Sequence, residues 1–300
     1  MKRDGSITWR RIEKNSLDLT GLNTAVIGGT GGIGRSLAQD LAKQGANVLV
    51  VGQTFRDAEM TNISFLKADL SLLVDAKRVA DEMPAERLDL VVMTTGIMAG
   101  PKREVTAEGI ERDLAVSYLS RYVILNAIAP RLGRDRPQPR LKPRVFVMGF
   151  PGSGQAANVE DLNSERSYGR MKAHMNTVAG NEALVLDVAR RFPDIDVFGL
   201  NPGFVKTGIR VNSFGSNKLL LKIIEGLAGF MTIEPEVYST RITPMLVSPD
   251  LEGRSGAMFN NKAEAILPSK SIADPSYVRA VVDASDRLAG PILASDRQAS

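Results

Sequence analysis

Val26-Ile27-Gly28-Gly29-Thr30-Gly31-Gly32-Ile33-Gly34-Arg35 organises the reading of this chain. An apolar, strand-like run leads into it, and a helix-like run from Leu37 to Gln44 leads out. Glycine permits the positive φ of a tight strand-to-helix turn. It also lets backbone amides approach a phosphate at the positive end of a helix. Gly28, Gly32 and Gly34 have the spacing G-x-x-x-G-x-G. A glycine-rich surface loop is the bland alternative; the strand before and the helix after favour a dinucleotide-binding turn.

Three hundred residues suffice for one large domain or two small ones. An apolar share of 43% provides for a substantial core, and 24% charged residues is ordinary for a globular chain. The absence of Cys excludes disulfides and thiolate metal sites and fits a reducing, cytoplasmic setting. A single histidine, His174, argues against a histidine metal site or a Ser-His-Asp triad. No metal ligand set is expected. Net charge is +4, aromatics are few, and no Lys/Arg block has the length of a nucleic-acid tail. The most apolar stretch, Leu219 to Met231, is interrupted by Lys222 and Glu225 and is too short to span a membrane. Residues 1–20 are basic and polar, without the apolar run of a secretory signal. They read as an N-terminal arm, with Trp9 anchoring it to the domain or to a neighbouring subunit.

Apolar runs alternate with amphipathic ones. Strands are expected at 24–27, 47–51, 63–66, 88–93, 144–148 and 195–200, with helices at 33–44, 72–82, 108–132 and 168–191. Continuous apolar strands spaced by helices predict a parallel sheet covered on both faces. Right-handed crossovers then give a doubly wound α/β fold, with ligand at the carboxyl ends of the strands. Asp274-Pro275 has the form of a helix start, and Gly290-Pro291 of its end. No linker divides residues 21–300, so they read as a single domain. Residues 208–232 are Gly-, Ser- and Leu-rich; a substrate flap and a buried amphipathic helix both fit them.

Five motifs in order carry a resemblance: the glycine turn at 28–34, Asp69-Leu70 after the third strand, and Gly96-Ile97-Met98 after the fourth. Tyr168-x-x-x-Lys172 and Asn201-Pro202-Gly203-x-Val205-x-Thr207 complete the set. Across about residues 20–260 the chain resembles the short-chain dehydrogenase/reductase superfamily. Its later segments, Ile233-Glu234-Pro235 to Gly256, resemble the branch acting on lipophilic aldehydes and ketones. The resemblance implies a Rossmann-type three-layer sandwich and a nicotinamide cofactor. It also implies a homo-oligomer, dimer or tetramer, built through the helices at 108–132 and 168–191. Gly28, Thr30, Gly31, Gly32, Ile33, Gly34, Thr95 and Gly96 would line the cofactor. Asp69 and Leu70 would meet the adenine, Lys172 the nicotinamide ribose, and Thr207 the carboxamide, with Pro202, Gly203 and Val205 shaping the turn beneath.

On a helix, Tyr168 and Lys172 share one face. A free tyrosine has a pKa of about 10, and an adjacent ammonium favours the phenolate. Tyr168 is therefore expected to protonate a carbonyl oxygen, or to take an alcohol proton in reverse. An ordinary surface pair is the competing reading. Three positions depart from the family pattern. Its Asn-Asn-Ala-Gly reads Met93-Thr94-Thr95-Gly96, its helix Asn falls at Ser117, and its strand-five Ser falls at Gly149 or Phe150. Ser153, three residues on, is either a displaced catalytic hydroxyl or a turn residue of Pro151-Gly152-Ser153-Gly154. His174 lies two residues past Lys172, on another face, and reads as packing or surface.

After the second strand, NAD-selective folds place an acid for the ribose 2′-OH. Here Gly52-Gln53-Thr54-Phe55-Arg56 intervenes before the first acid, Asp57. Thr54 and Arg56, with Arg35, would hold a 2′-phosphate, so NADP is expected over NAD. The leading reading is an NADP(H)-dependent oxidoreductase of a carbonyl or alcohol substrate, hydrophobic in character. Its rival is a nucleotide-binding relative with attenuated chemistry, acting as a scaffold, sensor or assembly subunit. Neither involves nucleic acid.

Overall fold

The structure, a computed structural model, describes residues 1–98, 100–137, 141–203 and 233–299. The expected flap at 208–232, Val205 and Thr207 lie outside the described residues. Eight strands form one sheet in the order β3-β2-β1-β4-β5-β6-β7-β8. They are β1 (Asn23–Ile27), β2 (Asn47–Gly52), β3 (Ile63–Lys67), β4 (Leu90–Met93), β5 (Arg144–Met148), β6 (Asp196–Leu200), β7 (Met258–Phe259) and β8 (Ala265–Ile266). β1 to β7 pair in parallel, and β8 returns antiparallel to β7. The order reverses between β1 and β4. That is the switch point at which a doubly wound sheet opens a crevice.

Strand periodicity explains the two cores. Side chains alternate across a pleated sheet, so Ala25 and Ile27 of β1, Val91 and Met93 of β4, and Val145 and Val147 of β5 enter one apolar cluster. Their neighbours Val26, Leu90, Val92, Phe146 and Met148 enter the other. Two helices cover the second face: α1 (Gly32–Lys43), through Leu37 and Leu41, and the later Pro235–Leu246, through Tyr238 and Ile242. The first face is covered by α2 (Leu73–Glu82), α3 and α4 (Arg170–Arg191). α3 begins at Arg112–Leu114, widens into a π-helical turn at Ala115–Leu119 and continues as Ser120–Ile128. With α5 denoting Pro235–Leu246, the last helix, α6, is Pro275–Ala299.

α6 brings one correction. It does not stop at Gly290-Pro291 but runs through Pro291. Pro291 is exposed, and so is Arg287, whose carbonyl loses its helical donor to the proline. α6 also packs along α4 and α2. Its Ser285 Oγ lies 2.7 Å from Tyr118 Oη of α3, and Asp286 accepts from Tyr122 Oη at 2.7 Å. The chain's own last helix thus covers part of the surface of the two helices expected to pair with a second copy.

The N-terminal arm lies along the far edge of the sheet. Asp4 N donates to Ala265 O and Leu267 N to Lys2 O, both at 2.9 Å. Trp9 Nε1 donates to Ala263 O at 2.8 Å. Among the described residues no helix is long and apolar enough to cross a membrane, and no cluster of acidic and histidine side chains could hold a metal ion.

Candidate active site

A cleft of about 800 Å³ opens at the carboxyl ends of the strands. One half is backbone. Gly28, Thr30, Gly31, Gly32, Ile33 and Gly34 line it, joined by Gly52 and Gln53 after β2, Asp69 and Leu70 after β3, and Thr95 and Gly96 after β4. Gly28 has φ +89°, and a Cβ there would lie 2.6 Å from Thr95 N. At Gly34 a Cβ would collide with Gly28 O and Thr94 Oγ1. The turn is so close to the β4 end that only glycine fits, which leaves its amides open to a ligand. Asp69 accepts from Gln53 Nε2 at 3.2 Å and from Ser71 Oγ at 2.8 Å. Burial would raise its pKa, but these bonds hold it below the ordinary carboxylate value. This half fits the dinucleotide that the fold implies: amides for a pyrophosphate, and Asp69 with Leu70 for an adenine.

Beside it the residues expected to read the ribose are arranged otherwise. Arg35 is clasped by Asp57, with Nη2 2.7 Å and Nε 2.9 Å from Oδ1, and it does not line the cleft. Asp57 is fully buried, and Gln39 Nε2 donates to it at 2.6 Å. Burial pushes its pKa up, but Arg35 and Gln39 outweigh that and hold it below the usual carboxylate range. Arg56 is exposed and lies across the glycine turn, its Nη1 donating to Thr30 O. Thr54 is exposed and outside the lining.

The other half is made of side chains. His174, Thr177, Val178 and Asn181 line it from α4, at spacings i, i+3, i+4 and i+7. Those positions form one helical stripe. From α3 come Arg112, Val116, Ser117 and Arg121. Asp113, Ser117 and Arg121 are four residues apart. In a regular helix each such step drifts by about 40°. The wider π turn offsets that drift and keeps all three toward the site. His174 Nδ1 lies 2.8 Å from Asp113 Oδ2, and Ser117 Oγ donates to Asp113 Oδ1 at 2.5 Å. Ser117 Oγ also accepts from Ile97 N at 3.0 Å. Arg121, 3% exposed, donates through Nη1 to Asn181 Oδ1 at 3.0 Å and to Met148 O, and through Nε to Thr95 Oγ1 at 3.3 Å. Burial pushes its pKa down to about 9, opposed by the charge of Asp113.

Three expected catalytic side chains stand apart from the cleft lining. Tyr168 precedes α4, which begins at Arg170, and its hydroxyl donates to Gly100 O at 2.8 Å. Its pKa is raised rather than lowered, by burial first and then by the charges of Glu111, Asp113 and Glu104. The expected depression fails because burial comes first, and carboxylates rather than an ammonium come next. Lys172 is exposed, two residues before the stripe that faces the ligand. Ser153 belongs to the turn reading: Gly152 N and Gly154 N are tied to Glu182 Oε1 and Ser269 Oγ, at 3.2 and 2.9 Å. Its own Oγ is buried without a hydrogen-bond partner among the described residues. At the β5 end Gly149 and Phe150 line the cleft, and Pro202 and Gly203 close it below β6. Ser117 does line it, with its hydroxyl already engaged.

His174, Arg121 and Asn181 are the residues that sequence reasoning missed. A helical stripe counted from Asn181 back to His174 would have found the two on α4, where one counted from Tyr168 passes them by; Arg121 lies on α3, four residues past Ser117.

Comparison with known proteins agrees with this architecture. A family model described as short chain dehydrogenase matches residues 23–140. An uncharacterized oxidoreductase of Saccharomyces cerevisiae is 48% identical over 275 residues, covering 90% of this chain and 89% of its own. Human retinol dehydrogenase 14 is 25% identical over 301 residues, covering 90% and 87%. A solved structure from Mycobacterium paratuberculosis superposes with a TM-score of 0.70 at 19% identity, covering 94% of this chain and 98% of that one. The chain belongs to the short-chain dehydrogenase/reductase superfamily of Rossmann-fold oxidoreductases.

Proposed function

We propose that this protein is an NADP(H)-dependent oxidoreductase that interconverts a hydrophobic ketone or aldehyde and its alcohol. The observation that carries this reading is the division of one cleft into a glycine cradle and a polar cluster around His174, Asp113, Ser117 and Arg121. A bound nicotinamide supplies or accepts the hydride; the protein's part is to hold the dinucleotide, orient the carbonyl and manage the proton.

Preference for the phosphorylated cofactor is supported by Asp57. It is the first acid after β2, and it is buried against Arg35, so its carboxylate is not offered to a ribose diol. Exposed Arg56, beside Thr30 of the glycine turn, is a cation available to a 2′-phosphate. A hydrophobic substrate is supported by Ile97, Met98, Val116, Met148, Phe150 and Val178 along the reactive half. The name of the human relative, a retinol dehydrogenase, points the same way.

The test is direct. NADPH and NADH dissociation constants are measured by fluorescence, and NADPH oxidation is followed with retinal, decanal, farnesal and 2-decanone. Tighter binding of NADPH and turnover of at least one carbonyl are expected; tighter NADH binding reverses the cofactor assignment. The rival reading, nucleotide binding with attenuated chemistry, draws on the missing hydroxyl at Gly149 and Phe150. Cofactor binding without turnover of any carbonyl would favour it.

A further inference from the structure

We propose that His174, held by Asp113, is the proton-transfer group of this site; the proposal rests on the carbonyl–alcohol reading above. His174 is the single histidine of the chain. It projects from the α4 stripe that lines the cleft, and its side chain keeps 22% exposure, enough to meet a ligand. Behind it the Asp113 side chain is 1% exposed. One carboxylate oxygen takes the Ser117 hydroxyl at 2.5 Å and the other faces His174 Nδ1 at 2.8 Å. A carboxylate only accepts, so Nδ1 carries a proton and Nε2 is the nitrogen left for chemistry. The same logic orients the imidazole of hydrolytic triads, where a buried acid fixes the tautomer.

The competing candidates are placed less well. Tyr168 spends its hydroxyl proton on Gly100 O, outside the lining, and Lys172 points from an exposed position. Four residues after His174 stands Val178, which has no charge to give. The nearby buried cation is instead Arg121, on the neighbouring helix.

In reduction, the carbonyl carbon gains hydride from a reduced nicotinamide, and the C=O π pair moves to oxygen. That oxygen takes a proton from Nε2 of the imidazolium. The N–H bonding pair stays on the ring, and solvent restores the proton. Oxidation runs the same transfers backward, with neutral Nε2 taking the alcohol proton. Asp113 is a positioning residue: it touches the imidazole and not the reacting atoms.

Because the chain holds one histidine, ¹⁵N-histidine labelling reports this imidazole alone. In the protein without cofactor, the neutral ring is expected to show a protonated Nδ1 and an unprotonated Nε2. Asp113→Asn is expected to shift that tautomer balance and to lower kcat about tenfold with little change in KM. His174→Ala is expected to lower turnover roughly 10²–10⁴-fold, the usual range for loss of general acid–base catalysis. NADPH affinity should stay within about threefold, and free imidazole should restore part of the rate. His174→Gln, which keeps bulk and a hydrogen bond, serves should the alanine variant not fold, and the same loss is expected of it. An unprotonated Nδ1, or full turnover by both His174 variants, overturns the proposal while leaving the carbonyl–alcohol reading intact. Absence of turnover by the unsubstituted protein with every carbonyl removes that reading, and this proposal with it.

Discussion

The glycine half of the cleft and the α3–α4 half solve different problems with different parts of the chain. A phosphate is held by backbone amides, so what matters is which positions lack a side chain. Gly28 and Gly34 are required because a Cβ at either would meet Thr94, Thr95 or Gly28 itself. The reactive half is held by side chains, and there everything depends on helical phase. A shift of two residues along α4 separates His174, in the cleft, from Lys172, in solvent. Deletion of side chains leaves a mark in the sequence that survives any small error in register. A four-residue spacing of polar groups does not, because every helix face carries such spacings.

Arg121 fastens the two halves together. Its Nε holds Thr95, which packs against Gly28, and its Nη1 holds Met148 O and Asn181 across the sheet. Arg121→Met is therefore expected to have the largest effect of any single change. It strands two buried acceptors at about 1–3 kcal/mol each, partly offset by relief of the buried charge. A net loss of about 2–4 kcal/mol corresponds to a fall in Tm of roughly 5–10 °C. Calorimetry checks this; an unchanged Tm would mean that the halves are held independently of each other.

Gly34→Ala tests the backbone half alone. The added methyl overlaps Gly28 O and Thr94 Oγ1, so the turn must open. Overpacking of this kind costs about 1–3 kcal/mol. Expressed in the ligand-competent turn, that is roughly a 10- to 100-fold loss of NADPH affinity. The ¹⁵N signal of His174 should stay in place. Movement of that signal, or unchanged affinity, would break the separation between the halves.

Much of the architecture was legible in the amino-acid sequence. β1 to β6 fall within two residues of the expected runs, because continuous apolar strands between amphipathic helices leave few alternatives. The place of the glycine turn and of Asp69 along the cleft was legible because both follow directly on a strand end. Three features were not. α4 begins at Arg170 rather than at Tyr168, so the Tyr-x-x-x-Lys spacing straddles the helix start and never forms one helical face. Asp57 is sequestered by Arg35 and Gln39. Both partners lie about twenty residues away, and no local pattern pairs them with Asp57. α6 covers Tyr118 and Tyr122, a pairing between residues more than 160 positions apart. Such partners are set by tertiary packing, which no local pattern encodes.

Asp57 gives the backbone half a dependence on acid. Its folded pKa lies below the ordinary carboxylate value. The unfolded chain therefore binds its proton first as pH falls. Its contribution to stability is full above the unfolded pKa and is lost as pH drops through the lowered folded value. Asp57→Asn should cost on the order of 1–2 kcal/mol near neutrality, since it weakens a charge-assisted clasp. It should also flatten the acid side of the stability curve measured by urea denaturation. An unchanged acid slope in the variant would show that the Arg35 clasp contributes nothing to folding.

Tyr168→Phe should do least, and for that reason it is the sharpest test of the comparison. Among the described residues the hydroxyl bonds to Gly100 O, at 2.8 Å, in a half-buried setting. Such a bond contributes a net of about 0.5–1.5 kcal/mol. The freed carbonyl is partly exposed and regains water, which puts the loss at the lower end and the change in Tm at roughly 1–3 °C. Turnover should remain within about threefold, because the hydroxyl is bonded to Gly100 O and stands outside the cleft lining. A hundredfold fall in turnover with Tm unchanged would reverse this. The loop from Gly96 to Gly100 would then have to release the phenol during the reaction, and the reactive half would prove as legible in its tetrad spacing as the phosphate half is in its glycines.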